Sequence, residues 1–172
     1  MNYLKKHYKV VIILIAIVIN LSLVLGISIL KKDNYQELAN NIYNILQSPP
    51  QTANKFLDNY ILYVPSEFDY IQEDNSFLLK NESVNISMFL GLGSSIDLEF
   101  LDQINPGLEK LYTYSTYNDK DLLYFYVWKY DKDNIQIMIG QNDRNITGIF
   151  PEGYLNKSAV ELAIIFNSVQ EV

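Results

Sequence analysis

The chain has 172 residues, 20 acidic and 13 basic, for a net charge of −7, and 49% of it is hydrophobic. It contains no cysteine, which excludes a disulfide scaffold and thiolate chemistry. Its one histidine, His7, and its one arginine, Arg144, leave no material downstream for a Ser-His-Asp triad, a His-based zinc site or a multi-arginine phosphate clamp.

Residues 1–9 form a short basic tail with Lys5, Lys6 and Lys9. Val10 to Leu30 carries no charge and matches the roughly 20 apolar residues that cross a hydrocarbon core as a helix. It is longer than the apolar region of a cleaved signal peptide, lacks an Ala-x-Ala site, and has no cysteine for lipid attachment. We therefore expect an uncleaved single-pass signal anchor in the cell membrane, with the N-terminus inside and the following domain outside. Within it, Asn20 places an amide in hydrocarbon, and Ser22 and Gly26 form a small-xxx-small pair. These three are the candidate helix–helix contact, with another membrane protein or with a second copy. A single span that merely tolerates them is the alternative.

All 20 acidic residues follow the span, with 10 basic ones, so the rest of the chain carries about −10. That sign disfavours nucleic acid, whose phosphates need a basic surface. Residues 31–60 read as juxtamembrane helices. Tyr35, Leu38, Ala39, Ile42, Ile45 and Leu46 form one apolar stripe over Lys31–Gln47, ended by Ser48-Pro49-Pro50. A second short helix is expected over Thr52–Tyr60.

Residues 61–172 read as the extracytoplasmic domain. From Ile61 the apolar period becomes two, with strands expected at 61–64, 68–73, 76–80 and 83–90. Gly91–Ser95 reads as a loop, since no P-loop lysine follows its glycines. A helical turn is expected near Ile96–Ile104. Long strands follow at 108–117, 121–130, 135–140 and 144–150, and a closing helix spans Leu155–Val169. The strand Asp121–Tyr130 is apolar on both faces, as expected for a central strand covered on both sides. A three-residue turn at 118–120 would set Tyr114 opposite Tyr124 and Tyr112 opposite Tyr126, and would bring Ile137 opposite Trp128. The fold class is α+β: an N-terminal transmembrane helix, then an antiparallel sheet of about six or seven strands covered by helices.

This order, with Val64-Pro65-Ser66-Glu67-Phe68 after a strand and Phe166-Asn167-Ser168-Val169 closing the last helix, resembles PsbP/Mog1/DcrB-like proteins. It is also similar to single-span proteins of Gram-positive bacteria with an extracytoplasmic domain. The resemblance implies a fold and no reaction or site residues.

The candidate binding face is the aromatic ladder Tyr112, Tyr114, Tyr124, Tyr126 and Trp128, whose rings and polar tips suit sugars or peptides. The competing reading is a buried sheet face. The acidic turns around Asp119, Asp131 and Asp143 lack EF-hand spacing and read as hairpin turns. Carboxylate pairs such as Glu67 with Asp69 or Glu73 with Asp74 could serve acid–base hydrolysis, with solvated turns as the alternative. No catalytic residue, metal site or cofactor is assigned. The sequence is read as a binding or scaffolding domain of a bacterial cell-envelope complex without a catalytic role, with an envelope ligand sensor or a carboxylate hydrolase as alternatives.

Overall fold

A computed structural model describes residues 17, 19–20, 34–57, 59–73, 76–81, 86–91, 103, 105, 107–118 and 121–172. The chain divides into two units, Met1–Glu37 and Leu38–Val172. In the first, Ile17, Ile19 and Asn20 are helical, and the two isoleucines are 49% and 54% exposed. The rest of the expected span, with Ser22 and Gly26, lies outside the described residues. Among the described residues, no helix is long and apolar enough to cross a membrane.

The second unit begins inside helix α1, residues 34–46. It then runs through β1 (Lys55–Leu57), β2 (Tyr60–Leu62), β3 (Asp69–Glu73), β4 (Ser76–Asn81), β5 (Ile86–Gly91), β6 (Glu109–Asn118), β7 (Asp121–Lys129), β8 (Asn134–Gln141) and β9 (Arg144–Pro151). A 3-10 turn, α2 (Leu155–Asn167) and β10 (Gln170–Glu171) close it. The unit is α+β with antiparallel sheets and helices. In place of one sheet there are two: a seven-stranded sheet in the order β3-β4-β5-β9-β8-β7-β6, and a three-stranded sheet β1-β2-β10.

The small sheet corrects the expected helix over Thr52–Tyr60. Asn54 prevents it. Its side chain donates to the Val64 carbonyl at 2.8 Å and accepts the Val64 N–H at 2.9 Å. An amide that satisfies both backbone groups of a distant residue acts as one more rung of a ladder and holds the flanking chain extended. Phe56 is 80% exposed.

The strands of the large sheet lie close to their expected positions, but the register around β7 is shifted by one residue. Asn118 pairs with Asp121, so Tyr114 lies opposite Phe125 and Tyr112 opposite Val127. On the other side Ile137 lies opposite Val127, and Trp128 opposite Gln136. A one-residue slip carries every side chain to the other face. Hence Tyr112 and Tyr114 share a face with Phe125 and Val127, away from Tyr124, Tyr126 and Trp128. Similarly, Ile135, Ile137 and Ile139 do not accompany the aromatic ladder. The strand β7 is buried on both faces, as expected, yet it is next to the sheet edge rather than central.

One face of the sheet takes both helices. Ala39, Ile42, Tyr43 and Leu46 of α1 meet Tyr114, Leu123 and Phe125, leaving a gap of only about 10 Å³. Leu162 of α2 packs over Gly148, where an added Cβ would collide with the Phe150 ring. The end of α1 is held by Asn167, which donates to the Ile45 and Ser48 carbonyls at 2.9 and 3.0 Å. The Ile45 carbonyl lies in the last turn of α1, where it also accepts the Ser48 N–H at 3.0 Å, and the Ser48 carbonyl lies just past the helix end.

Candidate functional site

The aromatic residues of β7 were the leading candidate, and the structure buries them. Tyr124, Tyr126 and Trp128 are 1%, 6% and 2% exposed and cluster with Met138, Leu108 and Leu122. Trp128 stacks on Tyr126 at 5.3 Å, and Tyr126 meets Tyr124 edge-on at 6.3 Å. Gly140 makes room for the Tyr124 ring, which any Cβ there would strike. The Tyr124 hydroxyl reaches the Arg144 carbonyl at 3.4 Å, and burial, then the charge of Asp143, pushes its pKa well above the usual phenol range. Rings packed this way serve as core. Tyr112 and Tyr114, on the opposite face, are half-buried. Asn20 belongs to the first unit.

Of the acidic turns, Asp119 lies outside the described residues, while Asp131 and Asp121 engage their carboxylates internally. Asp131 accepts the Asp133 and Asn134 N–H groups, each at 2.8 Å, and the Asn134 side-chain amide. The Asn134 amide, then the Asp133 N–H, hold its pKa below the ordinary value. Asp121 accepts from Gln141 and Asn142 at 2.9 and 2.7 Å. Among the described residues no group of three or more His, Cys, Asp or Glu converges.

A half-open cleft of about 240 Å³ lies between the chain leaving β2 and helix α2, lined by Gln51, Tyr63, Pro65, Glu67, Glu161 and Ile164. Its geometry follows from two fixed walls. Ser168 accepts the Tyr63 N–H at 2.8 Å and donates to the Ile165 carbonyl at 2.6 Å, tying this wall to the end of α2. The Pro65 carbonyl accepts the Phe68 N–H at 3.1 Å, closing a turn that buries Phe68 and leaves Glu67 outside. On α2, Glu161 and Ile164 stand three residues apart on one stripe. Burial raises the Glu161 pKa, Lys157 at 3.6 Å lowers it in part, and the charge of Glu67 raises it again.

The cleft thus offers two carboxylates, a phenol and an amide over an apolar patch of Pro65 and Ile164. Such a set accepts hydrogen bonds and favours a positive group. The expected partner of Glu67 was Asp69, which the structure instead places on β3. Gln51, Tyr63, Glu161 and Ile164 carried no signal in the sequence, because a chain alone does not show which helix face meets which turn.

No protein-family model matches the chain, and no curated protein matches it. Among solved structures, the solution structure of cyanobacterial PsbP (CyanoP) from Synechocystis sp. PCC 6803 is similar over 67% of this chain and 88% of that chain, at 11% identity and a TM-score of 0.41. A likeness at that distance assigns no function to this chain.

Proposed function

We propose that this protein is a single-pass, membrane-anchored binding or scaffolding subunit of a bacterial cell-envelope complex, with the acidic α+β domain outside and no catalytic role. The observation that carries the reading is the charge-free run from Val10 to Leu30, ahead of a domain with net charge about −10. Two of its residues, Ile17 and Ile19, are helical and half exposed, which suits a helix that faces lipid. Its partner is another membrane protein or a second copy, met through Asn20, Ser22 and Gly26. The first test is topology. With no natural thiol in the chain, Asp119→Cys should react with a membrane-impermeant reagent in intact cells, and the protein should resist alkaline extraction. Protection of the thiol, or release by alkali, would sink the reading.

The cleft favours a second reading, an envelope sensor that binds a small cation such as a primary amine through Glu67 and Glu161. Its volume of about 240 Å³ falls just below the roughly 300–1,000 Å³ of drug-sized sites and suits a short ligand. Titration with aliphatic diamines should shift the NMR signals of Tyr63 and Ile164, and Glu161→Gln should abolish the shift. Turnover of a glycan by the wild type, lost in Glu161→Gln, would instead support the carboxylate hydrolase.

A further inference from the structure

A cation already stands at the rim of the cleft. Lys157 lies outside the lining residues, one turn before Glu161 on α2, and its Nζ is 3.6 Å from Glu161 Oε1. The Lys157 side chain is 72% exposed and that of Glu161 18%, so a solvated ammonium faces a largely sheltered carboxylate. As support for the helix the pair is poor. The favourable order at this spacing puts the carboxylate first and the lysine four residues later, and here it is reversed. Lys157 is also in the first turn of α2, where the helix dipole disfavours a cation. Exposed pairs of this kind are weak and open readily. The charges that face Glu161 are Lys157 on its own helix and, from the turn after β2, Glu67. The Tyr63 phenol and the Gln51 amide complete the polar lining. One lysine therefore offsets only part of the charge of two carboxylates.

We propose that Lys157 is a tethered competitor for the cleft: it neutralises Glu161 while the cleft is empty, and a ligand with a primary ammonium on a short alkyl stem displaces it. This rests on the reading of the cleft as a cation site, and adds the ligand's shape and the residue that tunes its affinity. The two carboxylates and the Tyr63 ring take the ammonium. Pro65 and Ile164 take the stem. The lysine side chain is itself such a group, an ammonium on a butyl stem. Two cations drawn to one carboxylate repel, so each weakens the other's hold by the same factor. The proton is the third competitor. Burial and the charge of Glu67 favour it on Glu161, and Lys157 disfavours it. Without Lys157, Glu161 keeps its proton to a higher pH.

The probe is n-butylamine, the lysine side chain without its backbone. It is titrated into the full-length chain and its Lys157→Met and Lys157→Arg variants, with the Ile164 methyl signals followed by NMR. Lys157→Met should bind about two- to five-fold more tightly than the wild type, the range set by the strength of an exposed ion pair. Lys157→Arg, which keeps the charge, should match the wild type. The pH at which acid halves the binding should rise in Lys157→Met. Glu161→Gln with Lys157→Met should bind no better than Glu161→Gln. Equal affinity in all three chains would overturn the competitor and leave the cation reading of the cleft standing. A gain that Lys157→Arg shares, or that survives Glu161→Gln, would overturn it as well, since bulk rather than charge would then be at work. Absence of binding in every chain would remove the cation reading, and the competitor with it.

Discussion

Over β7 and β8 the two faces of the seven-stranded sheet both exclude water, by different means. On one, Phe125, Ile137, Ile139 and Phe150 lie beneath α1 and α2, so closure depends on helices delivered from either end of the domain. On the other, Tyr124, Tyr126, Trp128 and Met138 pack on one another along β7 and β8. Among the described residues, each face has a glycine whose missing side chain a neighbouring ring occupies: Gly148 for Phe150, and Gly140 for Tyr124. A helix-covered face is only as firm as the helix ends that anchor it. A face of large stacked rings carries much of its contact within the sheet itself.

Emptying either face should have the largest effect. Phe125→Ala and Trp128→Ala are each expected to cost about 3–5 kcal/mol in chemical unfolding. If Trp128→Ala left stability unchanged, the aromatic face would be a surface for ligands rather than core, and the comparison would break. Filling the glycine positions comes next. Gly140→Ala and Gly148→Ala should each cost about 1–3 kcal/mol by overpacking. Because the collision at Gly140 is with one ring, adding Tyr124→Leu should cost less than the sum of the two single changes.

Asn167→Ala separates the faces more finely. It removes two hydrogen bonds to the end of α1, worth about 0.5–1.5 kcal/mol each. Stability should fall while the near-ultraviolet dichroism of Trp128 stays as it was, since only the helix-covered face is loosened. A change in the Trp128 signal would mean that the faces are coupled. The smallest effect belongs to Glu161, at the rim of the helix-covered side. Its folded pKa is raised above the unfolded value of about 4.3. The fold therefore favours its proton, and this contribution is present below the unfolded pKa and lost as pH rises through the folded one. Glu161→Gln should gain on the wild type as melting is followed from acid toward neutral pH.

Much of this architecture was legible. Alternation and polar turns marked each described strand from Asp69 to Phe150 within a few residues, and the closing helix expected over Leu155–Val169 stands as α2, Leu155–Asn167. Register was not legible. Whether two or three residues turn the chain between Asn118 and Asp121 barely alters the local pattern, yet it decides which face receives Tyr112 and Tyr114. Strand β1 was equally hidden, because the Asn54 side chain, bonded to Val64 ten residues on, holds the chain extended there, whereas β2 overlaps the strand expected at 61–64. The cleft failed to show for the same reason: Glu67 and Glu161 approach only when α2 is laid on the sheet.

The ladder between β5 and β9 has a consequence for synthesis. The large sheet is two hairpin runs, β3-β4-β5 and β6-β7-β8-β9, seamed where β5 meets β9. A ribosome extends a chain at about 5–20 residues per second. The first run therefore emerges with the β5 side open and keeps it open for seconds, until the whole second run has been made. In that interval the nascent chain shows an apolar strand paired with β4 on one side and open on the other, the kind of edge that chaperones hold. Slowing translation between β5 and β9 should lower the yield of folded protein more than slowing it after β9.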